Sequence, residues 1–298
     1  MVQLQRCAVI GLGLIGGSFA AALKSHGLAA CVVGVDSNAE ALREALMYGY
    51  IDEAVEMGSG SVLASCEVVF VATPVRSMSK IFAQLNVILP PTALVVDFGS
   101  VKGELAWALN QGISFRYLPA HPIAGGERSG IHAAQSTLFQ GKKFIICPFD
   151  REAYASDIAL MEQLILVIGG QSEVMDTAEH DTIFAAVSHL PHVVAYALVN
   201  ALRTMESCSG IKLGHYPGAG FRDFTRIASS DEVMWSDIAL TNRTEILHAL
   251  DAFEETLGGI RQAIEQHDEA YLLATFRHAR EYRDQIVKNM AERQKTTV

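Results

Sequence analysis

The residues best suited to chemistry begin with Gly11-Leu-Gly13-Leu14-Ile15-Gly16-Gly17, a GxGxxG run lying between an apolar strand-like segment and a helix-like one. In such a run Gly11 permits a tight turn, Gly13 lets the backbone approach a pyrophosphate, and Gly16 lets a helix pack on a strand. The unpaired N–H groups at the helix start favour an anion. Asp36 ends the next strand-like run, about 20 residues on, as the dinucleotide fingerprint requires. Its carboxylate suits the adenosine ribose hydroxyls and repels a 2′-phosphate, and Ser37 and Asn38 follow it rather than a cation. The pattern therefore points to NAD over NADP, with Leu14 and Ile15 of the loop beside the cofactor. Thr73 and Pro74 close a third strand-like run and are expected along the same cofactor.

Further runs end in reactive types: Asp97-Phe-Gly-Ser100-Val-Lys102, and Pro119-Ala-His121-Pro122-Ile-Ala-Gly125-Gly126-Glu127. Both ends should face one crevice. Ser188-His189-Leu-Pro191-His192 follows, then Gly220-Phe-Arg222-Asp223-Phe-Thr225-Arg226. Ser188 and His192 are four apart and share a helix face, with Pro191 able to distort that turn. Lys102 reads as a charge in the first turn of a helix. His180 and Asp181 open another helix, where capping or lining a cleft fits better than metal ligation. The other histidines share no ligand spacing, so no metal is expected.

The elements that must hold these residues are short apolar runs alternating with helical ones, the pattern of βαβ units and a mostly parallel sheet. Strands are expected near Cys7–Ile10, Val32–Val35, Val68–Val71, Leu94–Asp97, Phe115–Leu118, Lys143–Cys147 and Glu173–Met175. Most are continuously apolar, as strands covered on both faces are. Phe19–Ser25, Ala39–Tyr48 and Val101–Asn110 read as helices, closed by Gly27, Gly49 and Gly112. After Asp176 strand signals stop and the chain turns helical. The fold class expected is α/β, a Rossmann-type mostly parallel sheet domain over residues 1–175, followed by an all-helical domain over 176–298. Leu250, Phe253, Leu257, Ile260 and Ile264 form one helical stripe, either core or subunit interface.

Half of the 298 residues are hydrophobic, 19% are charged, and the formal net charge is −10. That balance supports a large core and repels phosphate backbones and anionic lipid, so neither nucleic acid nor membrane is an expected partner. Apolar runs such as Val68–Ala72 fall short of the roughly 20 residues of a membrane helix. The five cysteines make an odd set with no CxxC pair, and no cleavable leader is read at Met1, so a reducing cytoplasmic setting is expected. An anionic substrate would need cations supplied by its own site.

Taken in order, GLGLIGGS, DFGSVK, HPIAGGE, SHLPH, GFRDFTRIA and the segment Asp231 to Asn242 resemble the prephenate and arogenate (cyclohexadienyl) dehydrogenases of tyrosine biosynthesis, across essentially the whole chain. The resemblance implies an oxidative decarboxylation. Hydride leaves the ring carbon bearing the hydroxyl for NAD, carbon dioxide is lost, and the ring becomes aromatic, giving 4-hydroxyphenylpyruvate or, from arogenate, tyrosine. His121 matches the family's catalytic histidine, a neutral imidazole that accepts the hydroxyl proton. Ser100 matches a serine that orients it. Arg226 is the best candidate to grip a substrate carboxylate, since a guanidinium does so through two parallel bonds. Arg222 assists, Ser188 and His192 line the substrate side, and His189 is structural. A homodimer, and tyrosine as a feedback ligand of the same pocket, are also implied. Competing readings are a two-domain β-hydroxy acid dehydrogenase, which would place a catalytic lysine on a helix of the second domain, and a non-catalytic NAD-responsive protein.

Overall fold

A computed structural model describes residues 3–126 and 128–295; Glu127, the last residue of the HPIAGGE motif, lies outside the described residues. In chain order the elements are β1 (Leu4–Ile10), α1 (Leu14–Ser25), β2 (Ala29–Val35), α2 (Ala39–Met47), β3 (Glu53–Val55), α3 (Gly60–Leu63), β4 (Val68–Val71), α4 (Met78–Ile88), β5 (Leu94–Asp97) and α5 (Gly103–Leu109). They continue through β6 (Arg116–Pro122), β7 (Lys143–Ile146), α6 (Ala155–Val167), β8 (Gln171–Val174), α7 (Thr177–Phe184), α8 (Leu190–Ser209), α9 (Ala219–Thr225), α10 (Glu232–Thr241), α11 (Arg243–Glu265) and α12 (Glu269–Lys295). One eight-stranded sheet runs β3-β2-β1-β4-β5-β6-β7-β8. Its pairings are parallel except β6 with β7, where His121 stands opposite Ile145. This is the Rossmann-type sheet followed by helices that the sequence predicts.

The order reverses direction between β1 and β4, so the loops leaving their carboxyl ends part and open a crevice. Alternation along each buried strand feeds two cores. Cys7, Val9, Val68 and Phe70 pack on one face with Phe19 of α1 and Leu164 of α6, while Ala8, Ile10, Val69 and Val71 pack on the other with Phe82 of α4. Phe19 meets Phe70 edge-on at 4.7 Å and Phe98 at 4.9 Å, locking α1 against β4 and the segment after β5. The glycines expected to end helices do so: Gly27, Gly49 and Gly112 all have positive φ (64°, 70° and 70°).

Beyond β8 the chain is helical. Asp176 caps α7 by accepting the Glu179 N–H at 2.7 Å, and Asp231 caps α10 by accepting from Met234 at 2.7 Å. Between α7 and α8, Ala185–His189 form a π turn. The run Thr177–Ser209 is long and apolar enough, by length and composition alone, to cross a membrane, which uninterrupted apolar runs in the sequence did not reveal. Yet it buries His180, Asp181 and His189 inside the protein.

By backbone contacts the chain forms two compact units, Met1–Ile246 and Leu247–Val298. All the candidate site residues fall in the first. Within the second, a Cβ on Gly259 would lie 2.4 Å from the Tyr271 hydroxyl, so α11 and α12 meet at van der Waals distance there. The stripe on α11 is not closed over: Leu257 is 52% and Ile264 59% exposed, and Phe276 on α12 is 56% exposed.

Candidate active site

The glycine run folds as its residue types dictate. Gly11 adopts φ 89°, and a Cβ there would lie 2.6 Å from the Ala72 carbonyl oxygen. A Cβ on Gly16 would come within 1.9 Å of the Gly11 oxygen, so only glycine lets α1 start this close to β1. Gly13 faces open space instead. Asp36 ties the loop to β2: its carboxylate accepts the Leu12 N–H at 2.7 Å and the Asn38 N–H at 2.8 Å. Asn38 in turn caps α2, accepting the Glu40 N–H at 2.9 Å. A cleft of about 280 Å³ opens here, lined by Gly13, Asp36, Asn38, Glu44, Ile131 and His132. Thr73 Oγ1, at the end of β4, is buried with no hydrogen-bond partner. A cradle only glycines allow, a carboxylate at its rim and an orphaned hydroxyl opposite fit a dinucleotide.

Beside it, the ends of β5 and β6 bring up Ser100 and His121, both half-buried. The His121 ring continues inward through a chain of hydrogen bonds. Its Nδ1 lies 2.8 Å from His180 Nε2, and His180 Nδ1 lies 2.7 Å from Asp181 Oδ1. Asp181 Oδ1 also accepts the Lys102 backbone N–H at 2.8 Å, so it stands as acceptor and His180 Nδ1 carries the proton. Neutral His180 then accepts at Nε2, His121 donates from Nδ1, and His121 Nε2 keeps a lone pair. Burial, reinforced by His180, Lys102 and His189, holds His121 well below the usual histidine range. His180 is lowered mainly by burial too. The ring is thus neutral, its tautomer set from within.

A second group lies on the helices. Ser188 is in the π turn, and its carbonyl accepts from His192 Nδ1 at 2.9 Å. The His192 ring stacks on Trp235 of α10 with centroids 3.5 Å apart. Its pKa is lowered, by burial first and by neighbouring Arg226. Arg226 ends α9 and is exposed, and Arg222 is exposed one turn earlier. His189 is the hinge between the groups: buried, pushed down to about 4 mainly by burial, and accepting at Nδ1 from Asn242 Nδ2 at 3.1 Å. Asn242 Nδ2 also donates to the Asp181 carbonyl at 3.0 Å.

The sequence reading missed His180 and Asp181 as partners of His121. Asp176, not His180 or Asp181, caps α7, and His180 lies 59 residues from His121 in sequence. It also missed Trp235. The apolar context of His180 and Asp181, with Phe184 on the same face four and three residues later, was the available signal. Lys102 does stand at a helix start, as the residue before α5, but its side chain is fully buried and paired with Asp97.

Comparison with known proteins places the chain among its relatives. Residues 19–174 match the prephenate dehydrogenase nucleotide-binding domain, and residues 176–278 the prephenate dehydrogenase dimerization domain. The chain is 34% identical over 280 residues to prephenate dehydrogenase of Bacillus subtilis, covering 92% of this chain and 74% of that protein. It is 32% identical to cyclohexadienyl dehydrogenase of Zymomonas mobilis, covering 95% and 96%. Among solved structures, prephenate dehydrogenase of Aquifex aeolicus in complex with hydroxyphenyl propionate and NAD+ superposes with a TM-score of 0.89 at 36% identity, covering 96% of this chain and 99% of that one. The chain belongs to the prephenate dehydrogenase family.

Proposed function

We propose that this protein catalyses the NAD-dependent oxidative decarboxylation of prephenate in tyrosine biosynthesis, with arogenate as the alternative substrate of the same site. The observation that carries the reading is the His121–His180–Asp181 relay, which presents an unprotonated nitrogen beside a dinucleotide cradle. NAD, held by Gly11, Gly13, Leu14, Ile15, Gly16, Asp36, Thr73 and Pro74, supplies the hydride acceptor. His121 Nε2 accepts the proton of the ring hydroxyl as hydride departs, and Ser100 helps to orient that hydroxyl. Arg226, with Arg222 behind it, binds a carboxylate of the substrate, and Ser188 and His192 line the pocket. Loss of the ring carboxylate as carbon dioxide then leaves the aromatic product.

In this reading residues 1–175 bind NAD, and 176–298 bind substrate and pair two chains. The exposed apolar residues of α11 and α12, and the match to a dimerization domain, support a homodimer. Tyrosine, which shares the ring hydroxyl and a carboxylate with the substrate, is expected to compete for the pocket. Cysteines that are all unpaired fit action in the cytoplasm.

The test is NADH formation at 340 nm with NAD or NADP and with prephenate or arogenate. Turnover with NAD and prephenate is expected; activity with arogenate alone would keep the chemistry and move the specificity. No turnover on either substrate, from folded protein that binds NAD, would overturn the reading. Among the described residues, the lysine that acts on His121 is Lys102, which precedes α5 and is bound to Asp97, whereas a β-hydroxy acid dehydrogenase would use a lysine on a helix of the second domain.

A further inference from the structure

The proton-transfer scheme above makes no use of Lys102, yet its side chain is wholly buried beneath that site. It pairs with Asp97, itself 1% exposed, whose carboxylate also accepts the Tyr117 hydroxyl at 2.8 Å and the Gly99 N–H at 2.8 Å. Burying an ion pair rarely adds net stability over an apolar pair of similar volume, so stability alone does not account for the charge. The same residue reaches the relay by its backbone, through the N–H held by Asp181 Oδ1. The next residue must be glycine, because a Cβ on Gly103 would lie 2.5 Å from Asp181 Oδ2. Lys102 therefore joins the end of β5 to α7 by two separate contacts.

The charged and titratable groups around the His121 ring come from every neighbouring element. Acting on His121 are His180 of α7, His189 of the π turn and Lys102 before α5; Asp181 of α7 and Asp97 at the end of β5 act on His180, and Cys147 after β7 neighbours Lys102. Burial pushes the Cys147 thiol up to about 12, so it carries no charge. Lys102 is the lysine of this set, and it is held in place by one of the two carboxylates.

We propose that Lys102 is a positioning residue for the proton acceptor: its backbone fixes Asp181, and hence the tautomers of His180 and His121, while its buried charge keeps both rings neutral until the substrate proton is taken up. The inference rests on the reading of His121 as the acceptor. It is tested on the full chain carrying ¹³Cε1-labelled histidine, with the His121 resonance assigned by His121→Asn. In Lys102→Met the His121 titration midpoint is expected to rise by about one unit, and the acid limb of kcat/KM to rise with it. In the double variant Asp97→Asn/Lys102→Met, which leaves no buried charge unpaired, the rise should be smaller but in the same direction. NADH affinity, read by fluorescence, should stay unchanged in both. A midpoint that stays put in the double variant would overturn the proposal, and this variant carries the test even if Lys102→Met fails to fold. Wild-type turnover in His121→Asn would instead overturn the underlying reading of His121.

Discussion

The two sides of the candidate active site are built on different principles. On the relay side, His121, His180, Asp181, Lys102 and Asp97 are each held by hydrogen bonds to neighbours from other elements, and all but His121 are buried. On the helical side, Arg226 and Arg222 are exposed, and His192 is only half-buried against Trp235. The first side is pre-organised: its geometry and protonation are set before substrate arrives. The second carries its two arginines at the surface. In the proposed function, proton transfer, which tolerates little misplacement, uses the hydrogen-bonded side, and recognition uses the exposed one.

Substitutions on the two sides should therefore fail differently. The largest effect is expected for His121→Asn, with kcat falling by about 10²–10⁴-fold and KM for prephenate little changed, since the lost interaction belongs to the transition state. Asp181→Asn should cost kcat about a hundredfold, because an amide can turn its N–H₂ toward His180 and reverse the tautomers along the relay. Steady-state rates at saturating prephenate check both; a rise in KM as the main effect would erase the distinction between the sides. Arg226→Ala should raise KM by roughly 10- to 100-fold, the worth of a charge-assisted pair of hydrogen bonds at ~1.5–3 kcal/mol, with the smaller loss in kcat. Arg226→Lys should recover only part of it.

The smallest effect concerns pH and separates activity from stability. His121 must be neutral to accept a proton, and its pKa lies well below 6.5, so kcat/KM should hold as pH falls through 6.5 and decline only well below it. Stability behaves otherwise. His121, His180, His189 and His192 all have lowered pKa values in the folded state. Below pH 6.5 the unfolded chain therefore binds more protons than the folded one, and stability falls as pH drops toward the His189 value of about 4. Melting temperatures measured from pH 7 to 4 should decline while initial rates, taken before unfolding, persist; parallel loss of both from pH 6.5 would count against a neutral, buried relay.

The sequence exposed those parts of the molecule whose signals are local. Apolar runs placed seven strands of the sheet, and the glycine run placed the cofactor cradle, because turn and close approach are properties of a few neighbouring residues. Strand β3 was not foreseen: Glu53–Val55 is a half-buried edge strand of three residues with no alternation to show it. Helix α1 starts at Leu14, ahead of the expected Phe19, since Gly16 and Gly17 weaken the helical signal where packing on β1 requires them. The family motifs brought out His121, Ser100 and Arg226, whereas His180 and Lys102 acquire their roles from partners across the fold. A lysine beside a helix start gives no sign that the chain will fold an aspartate over it.

The π turn at Ala185–His189 has a consequence for how this protein can change. It separates His180 and Asp181 of the relay from His192 on α8, and it carries Ser188, the other residue proposed to face the substrate. One helical residue advances the direction of side chains by about 100°, from 3.6 residues per turn. Losing a single residue from the turn would swing α8 out of phase with α7 without breaking a hydrophobic core contact in the sheet. Insertions and deletions should accordingly be tolerated in the loop around Gly210 and rejected here, in the middle of a run that reads as one uninterrupted helix.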